Sequence, residues 1–369
     1  MFIHKLLKLF IFVSLIGLLT ACGDNQQQGK AAPEEKPAGQ THNWRMVTTW
    51  PPNFPVFQEG VDRFASDVKI MSGGRLDIKV YAGGELVPPL QTFDAVSQGT
   101  VEIGHGAAYY WAGKIPAGVF FTSVPFGLNA QSMTSWLYGG GGLELWQDLY
   151  KDYGLVPFPM GNTGVQMGGW FNKKINSLAD IKGLKMRIPG LGGKVLAKAG
   201  GVPVLLAGGE IYTALERGTI DATEWVGPYH DERLGLNRAA KYYYYPGWHE
   251  PGSELEILVN KKAYDSLPAD LQKIVETAAR ANSLWMTAQF EALNIKSLHV
   301  LQDKNVTTLK FPDDVIRELR KLSDEVYEEQ AAKDPKFKKI YDAFNDYRTK
   351  SQAWNNLSEA AYQEALNLK

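Results

Sequence analysis

Cysteine is almost missing from this sequence: 369 residues contain one, Cys22. A single thiol excludes an internal disulfide framework and every multi-thiolate metal site. Net charge is missing too. Lys plus Arg is 39 against 40 for Asp plus Glu, a formal charge of −1, which argues against nucleic acid as a partner, because that usually needs a basic excess. The mean hydropathy of −0.24 excludes a polytopic membrane protein, and the apolar run Leu9–Leu19 is shorter than a span of roughly 20 residues. Glycine is plentiful at 37, implying many turns and close backbone approaches. Hydrophobic residues at 44% and charged residues at 21% are ordinary globular values, and the length suggests about two domains.

Familiar catalytic patterns are absent as well. His249-Glu250-Pro251-Gly252 is not HExxH, because proline would break the helix that motif needs. Gly190-Leu191-Gly192-Gly193-Lys194 lacks the first glycine and the Ser/Thr of a phosphate loop, and Val195 stands where a dinucleotide fingerprint needs its third glycine. The run Gly139 to Gly142 follows no recognisable strand and is expected to be a flexible turn. No Gly-x-Ser-x-Gly elbow occurs. His105 and His230 read first as structural histidines. The chain is therefore expected not to be an enzyme.

The N-terminus, MFIHKLLKLFIFVSLIGLLTAC, has Lys5 and Lys8, a short apolar run and small residues, the pattern of a secretory signal. Leu19-Thr20-Ala21-Cys22 resembles the bacterial lipobox, which implies cleavage before Cys22 and lipid attachment to its thiol. Residues 1–21 are then signal peptide, and 22–43 a lipidated cysteine and polar flexible linker reaching about 25 Å. The expected location is the periplasm, anchored to a membrane by lipid.

From Trp44 the chain alternates between strands and helices. Strands are expected at 44–49, 76–81 and 101–105, with helices at 54–71 and 88–98 between them, a series that implies a parallel sheet. A second series has strands at 155–160, 166–172, 185–188, 203–206, 219–226, 242–245 and 255–260, with helices at 190–199 and 209–217. The remainder reads as helix, with an aromatic tail that could pack on its own lobe or contact a second copy. The expected class is α/β: two lobes, each a mostly parallel sheet flanked by helices, with long C-terminal helices.

Arg187 lies in the short apolar strand Lys185–Ile188, facing opposite to Met186 and Ile188. An arginine aimed into a cleft needs an anion, either a ligand carboxylate or a protein one. Glu224-Trp225 falls at the carboxyl end of the strand 219–226, where open α/β sheets bind ligands. Gln166, Glu224 and a backbone carbonyl are hard oxygen donors suited to Na⁺ or Ca²⁺.

Three stretches carry a resemblance: Ser177-Leu-Ala-Asp-Ile-Lys-Gly-Leu-Lys-Met-Arg-Ile-Pro-Gly190, Gly208-Gly-Glu-Ile-Tyr-Thr-Ala-Leu215, and Gly218-Thr-Ile-Asp-Ala-Thr-Glu-Trp-Val-Gly-Pro228. Tyr242–Pro246 with Gly247-Trp-His-Glu-Pro-Gly252 adds to it. With these the body resembles the DctP-type solute-binding proteins of TRAP transporters, and within them the subgroup that binds 2-oxo acids or lactate with a metal ion. The resemblance implies a ligand-carboxylate clamp at Arg187 and metal ligands at Gln166, Glu224, the Trp225 carbonyl and Glu250. It also implies Na⁺ or Ca²⁺ as cofactor, and Trp50, Phe54, Tyr109 and Tyr110 as cleft walls. Lobe I would be 44–164 plus about 253–292, lobe II 165–252 plus about 293–335, and 336–369 a helical tail able to contact a second copy. Implied partners are a small monocarboxylate, the small and large TRAP membrane subunits, the membrane through the lipid anchor, and a possible homodimer. Two other readings remain: a metal-assisted hydrolase using Glu224 and His230, and a ligand sensor for a membrane receptor.

Overall fold

The computed structural model describes residues 40–304 and 306–368. The signal segment, Cys22 and most of the linker lie outside the described residues. Among the described residues eleven strands form two sheets. The first contains β1 (His42–Thr48), β2 (Leu76–Tyr81), β3 (Ile103–Gly106), β4 (Leu155–Asn162) and β10 (Glu254–Asn260), in the order β2-β1-β3-β10-β4. The second contains β5 (Gly169–Phe171), β6 (Lys185–Arg187), β7 (Val202–Val204), β8 (Ala222–Thr223), β9 (Tyr242–Tyr245) and β11 (Thr308–Lys310), in the order β11-β9-β5-β8-β6-β7. One strand opposes the rest in each sheet, β10 in the first and β5 in the second. Both sheets are thus mostly parallel, with helices in the connections, as the α/β alternation requires.

The chain crosses from the first sheet to the second between β4 and β5, returns between β9 and β10, and crosses a third time between β10 and β11. The first two crossover segments are bonded to each other. Thr163 N–H donates to the Ser253 carbonyl at 3.0 Å, Gln166 N–H to Glu250 at 3.2 Å, and Gly247 N–H to Gln166 at 3.0 Å. Position 247 must be glycine for this: a Cβ there would sit 2.2 Å from the Gln166 carbonyl oxygen. The 35-residue helix Ala269–Asp303 packs along both β4 and the helix Pro228–Leu234.

The helix Phe57–Met71 buries Phe57, Val61, Phe64 and Val68 on one face, as its three- and four-residue spacing predicts. It starts later than expected, because Asn53 and Val56 both adopt positive φ and turn the chain ahead of it. The 88–98 stretch is a 3₁₀ turn, Pro89–Gln91, followed by the helix Thr92–Ser97, since Pro88-Pro89 cannot donate to a continuous α-ladder. The glycine run 139–142 is not a free turn. It joins two helices, Ala130–Gly139 and Gly142–Lys151, with Gly141 at φ 83° between them. Residues 166–168 and 224–226 fall outside the strands expected to include them, and both segments go to the site described below.

Tail packing divides in two. On the helix Pro335–Leu357, Phe337 and Phe344 lie 4.8 and 5.1 Å from Phe120, and Phe344 packs edge-on to Trp136. Beyond that point Trp354, Leu357, Tyr362 and Leu366 are exposed, at 60% or more. No described helix is long and apolar enough to cross a membrane.

β10 carries two buried carboxyl groups. Glu256 Oε1 accepts from Trp111 Nε1 at 2.6 Å and Tyr150 Oη at 3.1 Å, and Glu254 Oε2 accepts from Asn162 Nδ2 at 3.0 Å. Burial pushes both up to about 8, with these hydrogen bonds opposing it. The folded state therefore binds protons that the unfolded chain releases near its ordinary value of about 4.5. Their contribution to stability is fully present below that pH and is lost as pH climbs towards 8. Urea midpoints followed by tryptophan fluorescence should accordingly fall between pH 5 and pH 8, and Glu256→Gln should flatten the slope. A midpoint that rises over this window would contradict the assignment.

Candidate functional site

Arg187 ends β6, and Glu224 follows β8, the strand paired beside it with Arg187 opposite Thr223. Adjacent parallel strands thus bring the two side chains to one sheet edge, at the carboxyl ends. Both are buried, at 1% and 0% exposure, and Arg187 Nη1 donates to Glu224 Oε1. Arg187 Nε also donates to the Leu206 carbonyl at 3.3 Å, and Nη2 reaches Tyr110 Oη at 3.4 Å. Its guanidinium lies 5.3 Å from the Trp225 ring centroid.

The crossovers add the next layer. Gln166 Nε2 donates to Thr163 Oγ1 and Ser253 Oγ, both at 3.2 Å, which leaves Oε1 without a partner. Ser253 Oγ in turn donates to Glu250 Oε2, and Tyr109 Oη reaches the same oxygen at 3.3 Å. Glu224 Oε2 has no hydrogen-bond partner, and His249 Nε2 stands 3.5 Å from it. Donor atoms of Glu224, His249 and Glu250 all lie within 4.8 Å of one another.

Aromatic rings close the site. Trp50 is 6.4 Å from Trp225 and 6.3 Å from Tyr110, and Phe54 is 6.0 Å from Trp225. Trp50 is held in turn: its Nε1 donates to His105 Nδ1 at 2.6 Å, and His105 Nε2 contacts the Met160 carbonyl at 3.0 Å. Tyr109 and Tyr110 come from a 3₁₀ turn, Ala108–Trp111, just after β3.

Burial dominates the electrostatics. It opposes the charge on Arg187, but Glu224 and the two tyrosines outweigh it, and the guanidinium is held above its ordinary value. Burial raises Glu224 to about 7, against the pull of Arg187, and raises Glu250 to about 7, reinforced by Glu224. It lowers His249 to about 4, so that imidazole is neutral. The buried charge is out of balance: one guanidinium faces two carboxyl groups. The unpartnered Gln166 Oε1 and Glu224 Oε2 are oxygens a cation would satisfy, so these residues fit a bound metal ion.

All eight residues expected at the cleft, with Glu250, cluster here. Two expectations need adjustment. Gln166 is on a crossover rather than on a strand, and Glu224 pairs with Arg187 inside the protein, the alternative that was open for this arginine. His230 does not join the cluster's hydrogen bonds. Its Nε2 contacts the Pro55 carbonyl at 2.8 Å, in a cage of Phe54, Phe57 and Phe290. His249, Ser253 and Thr163 escaped sequence reasoning. The one signal for His249 in the sequence is that it neighbours Glu250.

Comparison with known proteins shows what the whole chain is similar to. A monocarboxylate 2-oxoacid-binding periplasmic protein of Nostoc sp. is 49% identical over 320 residues, 87% of this chain and 88% of that protein. A TRAP periplasmic solute-binding protein from Colwellia psychrerythraea, solved with calcium and pyruvate, is 48% identical with a TM-score of 0.86, covering 88% of this chain and all (100%) of that one. Another from Pseudoalteromonas atlantica, solved with sodium and pyruvate, is 46% identical with a TM-score of 0.87, covering 89% and 100%. The DctP profile, described as bacterial extracellular solute-binding protein, family 7, matches residues 46–334, and the chain belongs to that family.

Proposed function

We propose that this protein captures a small monocarboxylate, a 2-oxo acid such as pyruvate or else lactate, together with Na⁺ or Ca²⁺, and delivers it to the small and large membrane subunits of a TRAP transporter. The carrying observation is the buried Arg187 beside Glu224, Glu250 and Gln166, a site with two carboxyl groups to one guanidinium before any anion enters. A ligand carboxylate would add a further negative charge. A cation restores the balance, while Arg187 supplies the planar donor fork that fits a carboxylate. Gln166, Glu224, the Trp225 carbonyl and Glu250 would hold the cation, which when bound supplies a Lewis acid for the ligand's carboxylate and 2-oxo oxygens. Trp50, Phe54, Tyr109 and Tyr110 would wall the ligand off and keep water out, which strengthens both attractions.

In this account the two sheets mark two lobes, 44–164 plus about 253–292 and 165–252 plus about 293–335, closing over the ligand about the crossovers. Lipid on Cys22 would keep the protein at the membrane in the periplasm. Binding rather than catalysis suits the site, because His230, the base a hydrolase would need, is taken up by the Pro55 carbonyl. The exposed Trp354, Leu357, Tyr362 and Leu366 suit a homodimer in which a second copy covers the tail.

Two measurements test this. Arg187→Lys keeps the charge but removes the fork, and calorimetry with Ca²⁺ present should show pyruvate binding weakened by about 2–5 kcal/mol. Unchanged affinity in a variant with wild-type circular dichroism would end the proposal. For the dimer, light scattering should give twice the chain mass for the wild type and half that for Trp354→Ser/Leu357→Ser. A monomeric wild type would exclude it.

A further inference from the structure

His249 is a buried polar side chain without a hydrogen-bond partner among the described residues. It is 1% exposed, and neither Nδ1 nor Nε2 is bonded. Leaving a buried donor or acceptor idle costs on the order of 1–3 kcal/mol, so such groups usually serve something else. The backbone that carries the ring is anchored. Its backbone follows the crossover bonded to Gln166, its edge packs 5.5 Å from Trp248, and even one added carbon at Gly192 would lie 3.1 Å from its Cβ. Nε2 instead faces Glu224 Oε2, itself unpartnered, at 3.5 Å.

The spacing matters here. Atoms that share one cation through bonds of roughly 2.0–2.6 Å stand no further apart than about twice that length. The Glu224, His249 and Glu250 donors, all within 4.8 Å of one another, meet that limit at Ca²⁺ bond lengths, and the shorter bonds of a transition ion draw them together by about half an ångström. A set made only of oxygens favours Na⁺ and Ca²⁺, whereas an imidazole nitrogen beside two carboxylates favours Co²⁺ or Zn²⁺.

We propose that His249 donates a ring nitrogen to the cation held between Glu224 and Glu250, so that the site takes a first-row transition dication as well as Ca²⁺. This rests on the reading of the cluster as a metal-dependent ligand site. It makes His249 a selectivity residue: the oxygens alone serve Ca²⁺, and nitrogen extends the range.

The test uses Co²⁺ alone, added to the metal-free chain and followed by its visible absorption, with Ca²⁺ plus pyruvate in calorimetry as a separate channel. Wild-type protein should give a saturable Co²⁺ spectrum that changes form in His249→Gln and His249→Leu. Loss of an outer partner of a metal ligand already weakens metal affinity by on the order of 10–100-fold, so both variants should lose at least that for Co²⁺. Circular dichroism matching wild type shows that they fold, and their Ca²⁺–pyruvate affinity should fall less than their Co²⁺ affinity. An unchanged Co²⁺ spectrum and affinity in the variants would overturn the role of His249, and so would equal losses for Ca²⁺ and Co²⁺. Absence of Ca²⁺–pyruvate binding in the wild type would instead remove the proposed function, and the Co²⁺ channel would still judge His249.

Discussion

The contact between Arg187 and Glu224 is the constraint on which the rest of the site depends. Burying a guanidinium and a carboxylate together is tolerable only when both are paired and their remaining atoms are used. Here the pair sits at the ends of neighbouring parallel strands, and Leu206, Tyr110 and the Trp225 ring take up more of the arginine. Glu224 uses one oxygen on Arg187 and leaves the other unpartnered. One carboxylate therefore joins an anion-binding group to a cation-binding group. That coupling is what a site for an anion plus a metal requires.

The crossovers make the second contribution. Gln166 and Glu250 lie on two of the three described strand-to-strand links that join the sheets in sequence, β4–β5 and β9–β10, and these two links hydrogen-bond to each other. A side chain there is fixed relative to both sheets. The sheets supply the arginine, the glutamate and the aromatic walls, while the links supply the remaining oxygens. Gly247 permits the close approach that no residue with a Cβ would allow.

Much of this was legible in the sequence. The α/β alternation gave the sheets because strand and helix periodicities differ, and the position of Glu224-Trp225 after a strand marked a binding edge before any contact was known. Arg187 stood out because charge inside an apolar strand demands a partner. What could not be read was the identity of that partner, since register between β6 and β8 is set by tertiary packing. Nor could the short length of β5 and β8 be seen: apolar residues such as Met167 and Val226 continue the strand pattern, and Met167 N–H still donates to the Val226 carbonyl at 3.0 Å beyond the last ladder pairs. The two-sided role of the glycine run at 139–142 was hidden for a similar reason, because a glycine with positive φ between helices has the same composition as a loose turn.

An Arg187–Glu224 pair that links an anion to a cation has a thermodynamic signature. Each ligand must raise the affinity for the other by the same factor. The most direct measurement is pyruvate binding to the purified protein by calorimetry, first in excess chelator and then at saturating Ca²⁺, with Ca²⁺ titrated in turn with and without pyruvate. The account predicts that pyruvate binds far more tightly with Ca²⁺ present and that the two ratios agree. Pyruvate binding that is equally tight in chelator would contradict it.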